Sequence, residues 1–461
     1  NTLPSLTGAR RQAMAHHMPA QDHPHQTYSP ADEKLFSKVG WRLLPLLIVC
    51  YVISYIDRIN IGYAQLQMEK TLSFSDAAYA FGAGIFFVGY FIFEVPSNLL
   101  LEKMGARKTL LRILFLWGLA AAGMAFVKTP MQFYVLRFLL GAFEAGFFPG
   151  VILYLTYWYP SARRAKAIAI FMTGAALGKL MAGPMSGGIM QYMEGWHGLH
   201  GWQWLFIVEG LPACILGLVA FFTLKDRPED ADWLSPEQKR SLRSHLDNDT
   251  QVVATASHAS AWSLLRDPKV FTMALVYCLQ LSVVYTVLFW TPTLVRSWGV
   301  QNLFFLGILT ALPAACGLIG MVLFGRSSDK HLERRWHYFA TCAISAAGTA
   351  VMIWGQGNLV VSLAGLMVYQ LGMSSATPLF FAALSEYMPK KTAAAGIGLV
   401  SSLGNLGPAF MPSIRNWLSE MTGGQTAGLY LMMGLALAAG VLLIAVIRPA
   451  TAGGTGQLAR A

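Results

Sequence analysis

An all-helical polytopic membrane protein, with twelve transmembrane helices in two six-helix bundles, is the fold class this sequence predicts. Three observations lead there. The 461-residue chain is 55% hydrophobic and only 12% charged, against about 25% charged in soluble domains. Apolar segments of about 20 residues, the length that crosses a bilayer, recur along it. Lys and Arg gather in alternate connections between these segments, not in one patch. The net charge of +11 is therefore a topology signal, and no nucleic-acid partner is expected. Cys50, Cys214, Cys278, Cys316 and Cys342 all fall in apolar segments at no metal or disulfide spacing. They read as free packing thiols.

Residues 1–33 are polar and carry His16, His17, His23 and His25. They lack the apolar core of a signal peptide and read as a disordered cytoplasmic tail; a metal-binding tract is the lesser alternative. Spans follow near 40–62, 77–100, 109–127, 131–158, 166–190 and 203–224, then 270–295, 303–324, 337–354, 359–384, 394–418 and 427–447. One set of connections is rich in cations: Lys34, Lys38 and Arg42; Lys103, Arg107, Lys108 and Arg112; Arg163, Arg164 and Lys166; Arg326, Lys330, Arg334 and Arg335; Lys390 and Lys391. The opposite set carries Lys70, Lys128, Arg296 and Arg415 singly. The positive-inside rule then places both termini in the cytoplasm. Charged, proline-bearing residues 225–268 divide the spans into bundles 34–224 and 269–447. They read as a cytoplasmic linker with a short surface helix after Ser235-Pro236, and residues 448–461 as a second cytoplasmic tail.

Charges inside the spans are the candidate site. The stretch Met131–Pro160 is long enough to cross a bilayer yet carries Arg137 and Glu144. Seven residues apart, they share nearly one helix face, with about 10 Å of rise between them. A charge at that depth costs at least ~2.5 kcal/mol and must face a partner or a wet cavity. Arg137 can grip a carboxylate through two parallel hydrogen bonds, or tie to Asp57. Glu144 has no evident local cation, so it reads as a proton carrier or as a neutral core acid. Asp57 and Arg58, adjacent in the first span, form either a mutual ion pair or a titrating acid beside an anion-binding arginine. Lys179 lies mid-span in GAALGKLMAGPMSGG. It can bind a second carboxylate, pair with Glu144, or snorkel as a structural cation. Tyr55 and Tyr90 are further candidates for contact with a substrate. In the second half Gln280, Tyr285, Gln370, Ser401 and Ser402 are polar, and Ser374, Ser375 and Asn405 are the candidates for substrate contact. Packing between helices is the alternative for all of these.

An internal repeat supports the six-plus-six division. LLLEKMGARK (Leu99–Lys108) and FGRSSDKHLERR (Phe324–Arg335) follow the second and eighth spans. Each sets an acid, Glu102 or Asp329, before a cation, Lys103 or Lys330, and then a basic cluster that includes Arg107 in the first copy. Such acids can lock helix ends together as a gate.

With these residues in view, the chain resembles the major facilitator superfamily over about residues 34–447. LEKMGARK and GRSSDK are similar to its loop signature, with Glu102 in place of the usual Asp. Within the superfamily it resembles the anion:cation symporter family. The matching pieces are YIDRINIGYA, RFLLGAFEAGFFPG with YWYP, GWQWLFIVEGLPA, DRPEDADWLSPEQ and FWTPT. The resemblance implies proton-coupled symport of a small organic anion, such as a hydroxylated or aromatic carboxylate or dicarboxylate. It implies that the residue matching Asp57 titrates and the one matching Arg58 helps to bind the carboxylate. Proton coupling is then expected at Asp57 and Glu144, and gating at Glu102, Lys103, Arg107, Asp329 and Lys330. The expected partners are the anion, protons and the lipid bilayer, for a monomer in the bacterial inner membrane. No phosphate-cradling loop, catalytic triad or metal cluster is evident. Neither an enzyme nor a resident cofactor or metal is expected. Two alternatives stand beside this reading. GPMSGG is similar to an antiporter motif of the superfamily, which favours a drug or cation antiporter, although Arg58, Arg137 and Lys179 would repel a cation. A membrane receptor would need a signalling domain larger than the tails and linker.

Overall fold

The computed structural model describes residues 29–72, 74–254, 268–388 and 393–447. The histidines of the N-terminal tail, the tail 448–461, linker residues 255–267 and Lys390–Lys391 lie outside the described residues, as does the side chain of Glu102.

The first half comprises α1 (Pro30–Leu72), α2 (Asp76–Met104), α3 (Ala106–Gly123), α4 (Pro130–Glu144), α5 (Phe147–Thr156), α6 (Ser161–Tyr192) and α7 (Gly201–Thr223). After the linker helix α8 (Pro236–Ala254) the second half comprises α9 (Pro268–Ser297), α10 (Leu303–His331) and α11 (Arg335–Trp354). It ends with α12 (Leu359–Tyr387), α13 (Ala393–Gly404), α14 (Leu406–Thr422) and α15 (Thr426–Val446). Taking α4 with α5 and α13 with α14 as broken spans, each half crosses the membrane six times.

Ten of these helical spans are long and apolar enough to cross a membrane. The other two are α11 and the α13–α14 pair. The first turn of α11 holds Arg335, Trp336 and His337, and its buried Thr341, Ser345 and Thr349 return their hydroxyls to carbonyls of the same helix. These polar groups dilute its hydropathy, and the three hydroxyls leave no donor unmet. The α13–α14 span is interrupted at Gly404-Asn405. The fourth span, one apolar run in sequence, also breaks: α4 stops at Glu144, and Gly146 adopts a left-handed φ of 86° before α5. Glycine is required there for the conformation and for space, since a Cβ would lie 2.4 Å from Ser97 Oγ.

Helix α1 is longer than the 40–62 span. Pro30, Asp32 and Glu33 suit a first turn, and four residues of the expected tail are helical. That first turn docks on the linker helix: Asp32 accepts from Ser241 Oγ and pairs with His245, both at 3.1 Å. Ser235 and Gln238 cap α8 reciprocally, at 3.2 Å and 3.1 Å.

The two halves meet through α6 on α10, α2 on α14 and α1 on α9. Small residues allow the approach. A Cβ on Gly183 would sit 2.3 Å from the carbonyl oxygen of Gly307, and one on Gly187 2.2 Å from that of Leu303. Tyr63–Thr310, Arg296–Leu66 and Leu303–Gln191 hydrogen bonds close the end of the bundle opposite the linker. Nearer the middle, Arg58 bonds Tyr285 and Ser402 bonds Glu94 across the same interface.

Candidate functional site

The site is built where α1, α2, α4, α6 and α9 converge. Successive side chains on a helix point about 100° apart, so Asp57 and Arg58 diverge. They do not form the mutual ion pair that adjacency allowed. Arg58 Nη2 lies 2.5 Å from Glu144 Oε1, and Nη1 donates to the Tyr285 hydroxyl at 3.0 Å. Ser54 Oγ also donates to Glu144 Oε1, at 2.7 Å, while Oε2 has no partner. The absence of a local cation for Glu144 is thus corrected: its cation arrives from α1, far away in sequence.

Asp57 takes neutral donors instead. Trp117 Nε1 donates to Oδ2 at 2.7 Å and Asn60 Nδ2 to Oδ1 at 3.1 Å. Arg137 is not tied to Asp57. Its Nε donates to the Gly82 carbonyl at 3.1 Å, its guanidinium stacks 4.9 Å over Phe86, and Nη2 is unpartnered. Lys179 does not pair with Glu144; its ammonium lies 5.5 Å over the Tyr55 ring. The Arg58 guanidinium is enclosed by Tyr55, Phe86 and Tyr90, at 5.6 to 5.7 Å. Tyr285 packs on Phe87 and Phe289. The structure therefore gathers Tyr55, Arg58, Tyr90, Glu144 and Lys179 about one point, with Asp57 and Arg137 on flanking contacts.

The backbone fixes this geometry. Gly141 lets α4 approach α2 so closely that a Cβ would lie 1.9 Å from the Phe86 carbonyl oxygen. Phe86 then lies beneath both arginines, and the break after Glu144 ends α4 at the charged pair.

The second-half candidates sit elsewhere. Ser375 Oγ donates to its own helix at Leu371 O, 2.7 Å away, and packs on Gly320; Ser374 packs on Gly317. Both face α10 and serve packing in this conformation. Asn405 occupies the α13–α14 break, where its side chain makes no cap bond. Gln280 is bonded to Thr377 and Tyr338. Arg415 is no loop residue: it is buried in α14, 4.7 Å over Trp290. Sequence reasoning left out Ser54, Trp117 and Glu209. It also left out Glu94, which accepts from Ser402 Oγ at 2.9 Å.

The candidate gate residues are arranged differently from the repeat. Asp329 pairs with Arg334 at 2.6 Å, not with Lys330, and Arg334 reaches Glu386 at 3.0 Å. Lys330 and Lys103 are exposed. In the first half the acid at the start of α3 is Asp226 of the linker, which accepts from the Arg107 N–H at 2.9 Å. The Arg107 side chain donates to Phe221 O and stacks on that ring. Beside these residues Glu333 accepts the Trp336 and His337 N–H groups at 2.6 and 3.1 Å. Burial opposes its ionisation, but these donors outweigh burial and hold its carboxyl below the usual glutamate range.

Two six-span halves packed on one another, with a charged cluster in the first that reaches Tyr285 of the second, are the architecture of a membrane transporter. The family model described as Major Facilitator Superfamily matches residues 47–331 and 300–460. The chain belongs to the major facilitator superfamily. A "Putative tartrate transporter" of Agrobacterium vitis is 41% identical over 90% of this chain and 92% of its own. The "Putative metabolite transport protein NicT" of Pseudomonas putida is 40% identical over 92% of this chain and 96% of its own. A "Quinolone resistance transporter" of Acinetobacter baumannii is 39% identical over 87% and 92%. The inward open xylose transporter XylE of Escherichia coli shares the fold at 14% identity, with a TM-score of 0.72 over 91% of this chain and 98% of that one. The tartrate and metabolite transporters among these relatives agree with the anion:cation symporter resemblance of the motifs.

Proposed function

We propose that the protein is a secondary active symporter that takes up a small organic anion with protons. The observation that carries this reading is the 2.5 Å contact between Arg58 and Glu144. Glu144 occupies the cation that an incoming carboxylate needs. Protonating Glu144 releases Arg58, so anion and proton favour each other's binding, and this linkage is reciprocal. Arg58, Arg137 and Lys179 then hold the anion, Tyr55, Tyr90 and Tyr285 wall it, and Asp57 is the second proton site. Hydroxyl and ring contacts suit a hydroxylated or aromatic carboxylate, and Lys179 suits a second carboxylate. The names of the tartrate and metabolite relatives support the anion class. Residues 34–224 and 269–447 would rock as two bodies about this point, gated through Arg107, Asp329 and their neighbours. A monomer in a bacterial inner membrane, with both termini cytoplasmic, completes the proposal.

The test is uptake into proteoliposomes with and without an imposed pH gradient, acid outside. Tartrate-like and phthalate-like acids should accumulate only with the gradient. Accumulation of a cationic drug driven by the opposite gradient, with no response to acids, would replace this reading with an antiporter.

A further inference from the structure

We propose that Arg415, Trp290 and Tyr79 form an outer anion station, which takes the carboxylate of an arriving organic anion before it reaches Arg137 and Arg58. The ligand class rests on the anion reading above; the station itself rests on geometry.

Arg415 is a buried cation without a counter-charge. In α14 it is 6% exposed, and among the described residues it has no hydrogen bond and no ion pair. Its guanidinium lies 4.7 Å over the ring of Trp290 in α9. Gly428 of α15 leaves its stem room, since a Cβ there would lie 2.9 Å from Nε. Asp76, at the start of α2, is exposed and does not pair with it. A ring face attracts a guanidinium but leaves its N–H groups without an oxygen acceptor. The same indole ring meets Tyr79 of α2 edge to face, with centroids 5.5 Å apart. Tyr79 is 3% exposed, and its hydroxyl has no partner. Two side chains with unmet donors therefore touch one ring. A carboxylate only accepts and would satisfy both; Arg415 would repel a cation.

The station lies on the way to the central cluster. Helices α2 and α14 run in opposite directions and touch where a Cβ on Gly84 would lie 2.1 Å from the Ala409 carbonyl oxygen. Arg415 follows Ala409 by six residues and Tyr79 precedes Gly84 by five. Both thus lie about 8 Å from that contact, toward the end of the bundle opposite the linker. Tyr79, Gly82, Phe86 and Tyr90 succeed one another on one face of α2. Trp290 meets the first of them. Arg137 bonds the second and lies over the third, and Arg58 lies over the third and fourth. Three cations are set along this face with Arg415 outermost, and the rise from Tyr79 to Phe86 is about 10 Å. Tyr79 belongs to the first half, Arg415 and Trp290 to the second. The station therefore spans the seam that entry from that end would part.

The experiment measures KM for labelled tartrate and phthalate in vesicles of the two opposite orientations, each acid presented to one face at a time. Arg415→Gln should raise KM at the face opposite the linker by about tenfold or more, the loss of one charged hydrogen bond. Tyr79→Phe keeps the contact with Trp290 and removes only the hydroxyl; it should raise that KM by about threefold. At the linker face both variants should stay within about twofold of wild type, because an anion from that side meets Arg58 first. An equal rise at both faces, or no rise at the opposite face in either variant, would overturn the proposal. So would a rise confined to chloride buffer, which would make the site one for a halide. If wild type moves neither acid, the symport reading fails, and phthalate binding to the purified protein decides the station alone. Binding weakened in Arg415→Gln would uphold it; binding absent from wild type, or equal in both proteins, would overturn it.

Discussion

Replacing Glu144 with glutamine should separate anion binding from the proton. In the wild-type site Glu144 Oε1 holds Arg58 Nη2 at 2.5 Å and Ser54 Oγ at 2.7 Å. A glutamine carbonyl can still accept from Ser54, so the fold of the pocket should survive. What is lost is the negative charge that competes with substrate for Arg58. A hydrogen bond to a charged group nets about 1.5–3 kcal/mol. At a pH where Glu144 is ionised, removing this competitor should therefore tighten anion binding by about 10- to 100-fold. Once Glu144 carries a proton, the gain should vanish. Wild-type affinity should thus rise as pH falls, and Glu144→Gln affinity should be nearly flat. The assay is thermal stabilisation of the purified protein by a candidate acid across a pH series, alongside uptake. Glu144→Gln should lose gradient-driven accumulation and keep counterflow exchange. The same pH dependence of affinity in both proteins, or wild-type accumulation in the variant, would show that Glu144 does not compete with substrate for Arg58.

Arg137→Lys keeps the charge but loses the planar fork and its unpartnered Nη2. Substrate affinity should fall by about 10-fold or more, the loss of one charged hydrogen bond, with normal expression; unchanged affinity would make Arg137 structural. Lys179→Gln should shrink or reverse any preference for a dicarboxylate over its monocarboxylate analogue, read by competition at fixed pH; equal discrimination in both proteins would place Lys179 outside the site. Glu333→Gln removes an ionised group from the N-terminal end of α11. Because the folded carboxyl is held below its ordinary range, its stabilisation is present above that range and lost as pH falls through it. The thermal stability difference between wild type and Glu333→Gln should be ~1 kcal/mol or less near neutral pH and vanish in acid. An equal difference at both would show that ionisation plays no part.

Most spans were legible because length and hydropathy are local properties, and so were the charges that had to be explained at membrane depth. Their partners were not. Glu144 finds Arg58 across 86 residues, and Arg58 finds Tyr285 across 227; only packing brings them together. Asp57 and Arg58 show the converse, neighbours in sequence that face different neighbours in space. Glu209 stood inside a motif already singled out, and the rule that flagged Glu144 applied equally to it. The break at Gly146 was hidden because a run of apolar residues reads the same whether or not one glycine reverses its φ. Arg415 misled for a related reason: one cation near a span end fits a loop, and only the packing of α14 on α9 buries it over Trp290.

The arrangement of charge argues for an anion and against a cation as cargo. Arg58 is held by an acid, Arg137 rests on a carbonyl oxygen and a ring, and Lys179 lies over a ring. Asp57 has its oxygens on Trp117 and Asn60, and Glu94 accepts from Ser402. A buried cation without a counter-charge costs several kcal/mol, and a ring face returns only about 0.5–2 kcal/mol. An arriving carboxylate would relieve that cost at two cations, and at the third once Glu144 takes a proton. A cationic drug would meet the same three groups as repulsion and would need Asp57 and Glu144 freed from their present donors. The residues proposed to draw the anion would thus also reject its opposite, which is how a site gains specificity beyond affinity. On this reasoning the proton is required because Glu144 is the anion's competitor. A transporter with an alanine at this position should bind its substrate well and fail to concentrate it.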